Sequence, residues 1–242
     1  EARADPGLRA RRPTLQPAST LPPLITASVA AALAAARDSG AATATASFDL
    51  GRTRTTVPTS VAAWHWHGAP LPYPHGCTAR SVLAWTGQSF EPLQRRTRSL
   101  VKLVPAGDGA PTFEIDGIKM LPTARLSPYE DAAAKVALVA PRGRELLDTC
   151  GGLGYFAACA LRAGAARVHS FEANADVLWL RSLNPWSPES PWPKDYERAA
   201  FTLEHADATT RIAALPSRSF DAVLHDPPRF SIAGELYSGA FH

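Results

Sequence analysis

Residues 145–154, ELLDTCGGLG, decide the fold of this chain. The apolar first half of this stretch has the length and composition of a buried strand, and Gly151, Gly152 and Gly154 follow it. A helical segment, residues 155–163, comes next. Glycines let a backbone approach a ligand closely, and a helix N-terminus offers unpaired amides, so this unit predicts a nucleotide-like ligand.

A second predicted strand, residues 166–171, ends at Glu172, which lies 21 residues after Gly151. This is close to the interval of about 20 residues at which an acidic side chain bonds a ribose diol. The G-x-G-x-x-G spacing of a dinucleotide site is absent. Asp148, just before the turn, favours the cationic end of a ligand over a phosphate.

Upstream, Ser127-Pro128-Tyr129-Glu130 is typical of a helix start, with a capping box and a proline at the first helical position. We expect this helix to run to about Ala140. Downstream, residues 202–208 predict a third strand ending at Asp207, and residues 219–230 a fourth running into Asp226-Pro227-Pro228. Strands that alternate with helices indicate an α/β, Rossmann-like domain with a parallel sheet.

These four segments, in this order, resemble motifs I to IV of the class I S-adenosylmethionine-dependent methyltransferases. The likeness spans residues 47–242. Within this class, the chain more specifically resembles a group of archaeal-type predicted methyltransferases with a D-P-P-R motif IV. Further stretches carry it: residues 49–51 (DLG), 113–120 (FEIDGIKM), 184–187 (NPWS), 225–231 (HDPPRFS) and 233–238 (AGELYS).

The resemblance implies S-adenosyl-L-methionine as cofactor. It implies that Glu172 binds the ribose hydroxyls and that Asp207 meets the adenine amine. The residues expected around the methionine part belong to the first motif: Asp148, Cys150, Gly151, Gly152 and Gly154.

Motif IV would carry the chemistry, with Asp226 and a carbonyl of Pro227 or Pro228 accepting hydrogen bonds from the target amine. The usual aromatic fourth position is Arg229 here, and Phe230 follows it. We expect His225 or Arg229 to contact the substrate. Transfer from a sulfonium then needs mainly positioning of the two reactants.

Methylation of a pyrimidine carbon requires a cysteine nucleophile, but Cys150 and Cys159 belong to the cofactor turn and its helix, and Cys77 to the other domain. We therefore predict methylation of an amino nitrogen, in an RNA base such as one of rRNA or tRNA. Phe230 and Tyr237 are the expected stacking surfaces. A segment that includes Asn184 and Trp186 either lines the substrate entrance or covers the sheet.

The region before the α/β domain divides in two. Residues 1–46 are rich in Arg, Pro, Ala, Ser and Thr and lack aromatic residues, so they predict a disordered tail or a targeting segment. Residues 47–122 hold short β-prone runs separated by Gly and Pro and predict a small β-rich domain. Its Asp116-Gly117 pair predicts a hairpin. The methyltransferase-like domain is then 123–242.

Charge supports an RNA partner for the first part of the chain. Residues 1–126 carry 14 basic and 8 acidic residues, and residues 127–242 carry 11 and 14. The run 95–98, RRTR, is a candidate phosphate contact or a solvated strand end. Three cysteines without a C-x-x-C pair favour a reducing, cytoplasmic compartment, with organellar targeting as the alternative.

Other classes of protein fit less well. We expect no membrane span, because the apolar-leaning stretch 21–36 is too short, and no metal site, because His65, His67, His75 and Cys77 match no zinc spacing. A class I sheet normally has seven strands and the sequence stops after the fourth, so we expect a domain incomplete at its C-terminus. The alternatives are a non-catalytic S-adenosylmethionine-binding or assembly module, a small-molecule methyltransferase, and an aminopropyltransferase. The last of these should have a more acidic pocket than the sequence around Asp226 suggests.

Overall fold

The computed structural model describes residues 21–196, 200–239 and 241. Its first part contains antiparallel strands and one helix, and its second part alternates strands with helices around a parallel sheet. Within the described residues, no helix has both the length and the apolar character that crossing a membrane requires.

The first part forms several small antiparallel sheets. Strands β1 (Leu24–Ile25), β6 (Leu83–Trp85) and β7 (Phe90–Pro92) make one sheet in the order β1-β6-β7. A second sheet has the order β11-β10-β9-β8, and two further pairs are β2-β3 and β4-β5. Their bounds are β2 Thr43–Ala46, β3 Thr55–Pro58, β4 Trp64–Trp66, β5 Ala69–Leu71, β8 Gln94–Arg96, β9 Leu100–Val104, β10 Thr112–Ile115 and β11 Ile118–Lys119.

The hairpin prediction at Asp116-Gly117 is confirmed. Strands β10 and β11 pair across this dipeptide, and both of its residues have positive φ, 47° and 82°. Positive φ at both central positions is the type I′ turn that matches the twist of paired strands.

The prediction of a disordered tail differs from the structure between residues 21 and 46, whereas residues 1–20 lie outside the described part. Helix α1 (Ala27–Ser39) is capped by Thr26 and ends at Gly40, which has φ 67°. Its buried face, with Leu33 fully inaccessible, packs in one cluster with Phe48 and Trp64. The aromatic residues that the segment lacks are thus supplied by the chain that follows it.

The second part contains four parallel strands in the order β14-β13-β12-β15. These strands are β12 Glu145–Asp148, β13 Arg167–Glu172, β14 Phe201–His205 and β15 Ala222–Leu224, and the helices are α2 Pro128–Leu138, α3 Tyr155–Arg162, α4 Ala175–Leu183 and α5 Ala208–Arg211. Helix α2 begins with the predicted capping box, in which Ser127 and Glu130 bond each other's backbone amides. The prediction of an α/β domain with a parallel sheet is confirmed.

The two parts pack against each other. One hydrophobic cluster contains Val101, Leu103 and Phe113 from the first part and Ala157 and Leu180 from the second. Thr97 of the loop after β8 also donates to Asp176 of α4 at 2.5 Å. This packing brings the β10–β11 hairpin to the carboxyl ends of the parallel strands.

Candidate functional site

A cavity of about 290 Å³ opens at the carboxyl ends of the parallel strands. After β14 the chain returns to place β15 on the other side of β12, so the connections reverse direction between β12 and β15. Ligands of open α/β sheets bind in the crevice at such a reversal. The cavity is therefore where this fold places a binding site.

The glycine-rich turn forms the floor of this cavity. Cys150, Gly151 and Gly152, three residues of the predicted cofactor turn, line it. Gly152 has φ 48°, and a Cβ built there would face the Phe113 ring at 3.7 Å. Burial raises the pKa of the Cys150 thiol to about 12, so this cysteine stays protonated at neutral pH and is a poor nucleophile.

Two other residues of the first motif, Asp148 and Gly154, do not line the cavity. Asp148 is buried and accepts a hydrogen bond from Ser170 at 2.8 Å. Burial raises the pKa of Asp148 to about 6, against the opposing effects of the Ser170 hydrogen bond and the Arg181 charge. Gly154 ends the turn and caps α3 with φ 80°.

Glu172, at the end of β13, is held by two backbone amides. Its Oε2 accepts from the Gly152 amide at 2.8 Å and its Oε1 from the Asn174 amide at 2.7 Å. Each carboxylate oxygen has two lone pairs, so both oxygens can still accept from a ligand. Glu172 lines the cavity, in a place suited to a vicinal diol.

Asp207 lies between β14 and helix α5 and also lines the cavity. Its Oδ1 caps helix α5 by accepting from the amide and the hydroxyl of Thr209, at 2.9 and 2.7 Å. The structure gives its Oδ2 no partner among the described residues. That oxygen can accept from a ligand amine.

The described lining of the cavity is acidic. It contains five carboxylates and no lysine, arginine or histidine. The carboxylates are Asp131, Glu172, Asp207, Asp226 and Glu235. Such a cavity disfavours phosphate groups and favours a cationic ligand.

Asp226 reaches the cavity, but it is already paired. Its Oδ2 accepts from Nζ of Lys135 at 2.6 Å, and the same ammonium contacts Asp131 at 2.9 Å. Lys135 belongs to α2, so the pair joins this helix to motif IV. The Oδ1 atom of Asp226 remains the oxygen without a described partner, and the Lys135 contact fixes the direction in which it points.

The carbonyls of Pro227 and Pro228 already lie beside one donor. The Tyr237 hydroxyl donates to Pro228 O at 2.7 Å and lies 3.3 Å from Pro227 O. Each carbonyl oxygen has a second lone pair, so it can still accept the expected hydrogen bond from a target amine. Tyr237 itself supports the motif IV loop and packs edge-on against Phe230, with ring centroids 5.8 Å apart.

His225 does not line the cavity. Its Nε2 bonds Leu236 O at 3.1 Å and must carry the proton, because a carbonyl only accepts. Its Nδ1 lies 2.7 Å from Thr149 Oγ1, and its ring stacks on Phe241. The expectation of a substrate contact is replaced by a structural role, in which His225 ties β15 to the 3-10 helix Gly234–Tyr237.

Arg229 and Phe230 are exposed beside the cavity and do not line it. Phe230 has 70% of its surface accessible, and Tyr237 has 45%. The Arg229 guanidinium has no hydrogen-bond or ion-pair partner among the described residues. These three side chains remain available to a molecule that approaches Asp226 from outside.

Asn184 and Trp186 lie away from the cavity. Asn184 is fully buried and donates to Tyr155 Oη at 3.1 Å, and Trp186 donates to Leu50 O at 2.9 Å. Of the two possibilities raised by the sequence, the structure gives the covering role, since this segment joins the α/β part to the first part of the chain.

The basic run 95–98 is partly used within the molecule. Arg95 stacks on the Trp179 ring at 4.3 Å and lies 3.7 Å from the Asp176 carboxylate. Arg96 and Arg98 are exposed. One of the three candidate phosphate contacts is therefore occupied by α4.

Several lining residues were missed by sequence reasoning because they come from the β-rich part or from α2. The β10–β11 hairpin contributes an apolar wall made of Phe113, Ile115 and Met120, which Leu121 continues. The available signal was the FEIDGIKM resemblance, which marked the hairpin without indicating that it faces the glycine turn. No group of three or more histidine, cysteine or acidic residues is placed to hold a metal ion in the described ranges.

Comparisons with known proteins give partial matches. No family model matches the chain. An uncharacterized protein of Methanocaldococcus jannaschii is 43% identical over 142 residues, which are 58% of this chain and 46% of that protein. The chain thus spans about half the length of the curated relative that it matches.

Solved structures with similar folds include a spermidine synthase in complex with a transition state analogue, AdoDATO. It is 15% identical, with 61% of this chain and 50% of that chain covered and a TM-score of 0.47. An S-adenosylmethionine dependent methyltransferase of Mesorhizobium loti is 24% identical, with 39% of each chain covered and a TM-score of 0.29. Both TM-scores are below 0.5, so function has to be derived from the cavity itself.

Proposed function

We propose that the protein binds S-adenosylmethionine in the cavity above β12 and β15 and is a methyltransferase for an amino nitrogen. The charge of the lining carries this proposal. Five carboxylates line the cavity and the Lys135 ammonium, which contacts two of them, offsets a single charge, so the lining fits a sulfonium and an amine better than a phosphate-bearing nucleotide. The cavity volume of about 290 Å³ is near the lower end of the range for small-molecule sites, about 300–1,000 Å³.

Different residues of the cavity contact different parts of the cofactor. Glu172 accepts from the ribose hydroxyls, because its two oxygens are held side by side by backbone amides. Asp207 Oδ2 accepts from the adenine amine. The backbone at Cys150, Gly151 and Gly152 faces the methionine part. Asp148 supports this turn from beneath and does not contact the cofactor.

Bound S-adenosylmethionine supplies a methyl group on a sulfonium centre, which is already activated for transfer. The protein therefore has to hold the accepting nitrogen in line with that methyl group. Asp226 Oδ1 is the acceptor that orients the nitrogen and takes up its proton. Lys135 fixes the Asp226 carboxylate for this task.

An RNA base is the acceptor we propose first. Exposed Phe230 and Tyr237 offer ring faces beside Asp226, and Arg229 offers an unpaired charge for a neighbouring phosphate. An extruded base would place only its neutral ring against the acidic lining, while its phosphates stay outside.

A second candidate is transfer to a small cationic amine, including aminopropyl transfer. The sequence argued against it because a more acidic pocket was expected. Asp131, Asp226 and Glu235 all line the cavity, although Lys135 pairs with the first two. This observation weakens the objection and keeps the candidate in the test.

Calorimetric titration with S-adenosylmethionine, followed by transfer of its labelled methyl group, tests the proposal. Submicromolar to micromolar binding by the wild type, lost in Glu172→Gln, is expected. Label in an RNA fraction would support the first acceptor, and label in a polyamine would favour the second. Binding without transfer to either would indicate a non-catalytic module, and the absence of binding by folded protein would refute the proposal.

A further inference from the structure

Strand β10 of the first part brings one aromatic ring to the glycine-rich turn. A Cβ built on Gly152 would lie 3.7 Å from Cε1 and 3.9 Å from Cζ of Phe113. No other described atom outside Gly151–Leu153 comes within 4 Å of that Cβ. Gly152 and Phe113 both line the cavity. A ligand that lies over Gly152 is therefore within reach of this ring.

The direction in which the ring points is fixed from the opposite face of its sheet. Side chains alternate between the two faces of a strand, so Phe113 and Ile115 line the cavity while Glu114 points away from it. Glu114 is buried, and Nη2 of Arg80 donates to its two oxygens at 2.7 and 2.8 Å. Nζ of Lys102 lies 3.3 Å from the same carboxylate. These ion pairs hold β10 with Phe113 facing the cavity.

The distance between the ring and the turn is fixed by a second contact. Tyr155, the first residue of α3, follows the turn and donates to Pro111 O at 2.7 Å, two residues before Phe113. Its hydroxyl in turn accepts from the buried Asn184 amide at 3.1 Å. The ring is therefore a wall formed before any ligand binds, and such preorganisation lowers the entropic cost of binding.

An aromatic wall at this place distinguishes a cation from a neutral ligand. In the proposed function the methionine part of the cofactor lies along Cys150, Gly151 and Gly152, so its sulfonium lies on the Phe113 side of the turn. A cation is attracted to an aromatic ring face, whereas a neutral thioether gains no such attraction. Loss of the methyl group converts the sulfonium into that thioether, and the cofactor loses its positive charge.

We propose that Phe113 contacts the sulfonium and makes the cavity prefer S-adenosylmethionine to its neutral product, S-adenosylhomocysteine. The β-rich part of the chain thus supplies a cofactor-binding residue that promotes exchange of the spent cofactor. The proposal rests on the proposed function for the identity and direction of the cofactor. The place of the ring at the turn is a property of the protein alone.

The test compares the two ligands in the same variants. Calorimetry gives the affinities of S-adenosylmethionine and S-adenosylhomocysteine for the wild type, for Phe113→Leu and for the matched control Phe48→Leu. Phe48 is also a buried ring, stacked on Trp64 at 5.2 Å, but it does not line the cavity. A loss of packing alone weakens both ligands equally, so only the ratio of the two affinities reports the contact with the charge.

We expect the preference for S-adenosylmethionine to fall about threefold to tenfold in Phe113→Leu, the range of a cation–π contact. The preference should be the same in Phe48→Leu as in the wild type. An unchanged preference in Phe113→Leu, with both affinities reduced equally or not at all, would overturn the proposal.

A second series keeps the shape of the ring, in case Phe113→Leu does not fold. Phenylalanines with one, two and three ring fluorines are incorporated at position 113, and each fluorine withdraws electron density from the ring face. We expect S-adenosylmethionine affinity to fall stepwise with the number of fluorines and S-adenosylhomocysteine affinity to stay constant. Equal behaviour of the two ligands across the series would contradict a contact with the sulfonium.

The wild type separates failure of this proposal from failure of the proposed function. If the folded wild type binds neither ligand, the cofactor assignment is refuted and the role of Phe113 falls with it. If the wild type binds both ligands and the variants keep its preference, the cofactor assignment stands and only the role of Phe113 is refuted.

Discussion

Nζ of Lys135 lies 2.6 Å from Oδ2 of Asp226, and the two residues are 91 positions apart in the chain. The contact joins the first helix of the α/β part to the motif that the sequence marked as catalytic. Burial lowers the pKa of Lys135, but hydrogen bonds to Asp226 and Asp131 outweigh it and hold the pKa above its usual value. The lysine is therefore charged wherever the protein is folded at neutral pH.

Replacing Lys135 should weaken transfer more than cofactor binding. In Lys135→Met the Asp226 carboxylate loses the contact that fixes its orientation, and we expect kcat to fall about tenfold, which corresponds to about 1.4 kcal/mol. Affinity for S-adenosylmethionine should change less than threefold, as measured by calorimetry. Lys119→Met, at an exposed lysine bonded to Thr123, is the control. An equal loss of affinity and turnover would contradict this assignment.

Glu172→Gln should weaken cofactor binding without unfolding the protein. Both oxygens of Glu172 accept from backbone amides, and a glutamine has only one oxygen, so its NH₂ group must face an amide donor. We expect the free energy of unfolding to fall by about 1–3 kcal/mol, the cost of an unmatched buried donor, and S-adenosylmethionine affinity to fall by about 1.5–3 kcal/mol, because the ribose hydroxyls lose a charged acceptor. Glu204→Gln is the matched control, because Glu204 pairs with Arg211 and does not line the cavity.

Alanine substitutions at Gly151 and Gly152 should differ in their effect on stability. Gly151→Ala places a Cβ against Ser170 Oγ and Arg181 Nη1, so we expect destabilisation of about 3 kcal/mol or more by urea unfolding. Gly152→Ala meets only the Phe113 ring at 3.7 Å, apart from the strain of φ 48°. Gly152→Ala should lower the free energy of unfolding by about 1–2 kcal/mol. Its main effect should be on cofactor affinity. Similar stabilities for the two variants would refute the distinction.

Asp148 should make stability depend on pH between about 4 and 6. Its pKa in the folded protein, about 6, lies above the ordinary value of 3.8, so the folded state binds this proton more tightly than the unfolded state. Its contribution is present below pH 4 and is lost as the pH rises through 6. The free energy of unfolding of the wild type relative to Asp148→Asn should fall by about 2 kcal/mol between pH 4 and pH 7.

Urea unfolding at unit steps of pH measures this difference. Asp108→Asn, at an exposed position, is the control and should give a pH profile parallel to that of the wild type. Parallel profiles for Asp148→Asn as well would mean that Asp148 has the same pKa in the folded and unfolded states.

Local sequence signals predicted the α/β part because each element there is specified by neighbouring residues. The Ser127–Glu130 capping box begins α2, and the apolar run before Gly151 forms β12 as expected. The first part of the chain was harder to predict. Helix α1 is stabilised by contact with Phe48 and Trp64 rather than by its own composition, so its sequence resembled a tail.

The sequence by itself determined the order of the strands along the chain, the glycine turn and the acidic residues at strand ends, because these depend on local propensity and spacing. Tertiary structure alone decided which of those residues meet. It placed Lys135 on Asp226, the Tyr237 hydroxyl on the proline carbonyls, and Arg181 beneath the turn. These contacts join positions on different elements, and only the packing of helices on the sheet sets the distances between them.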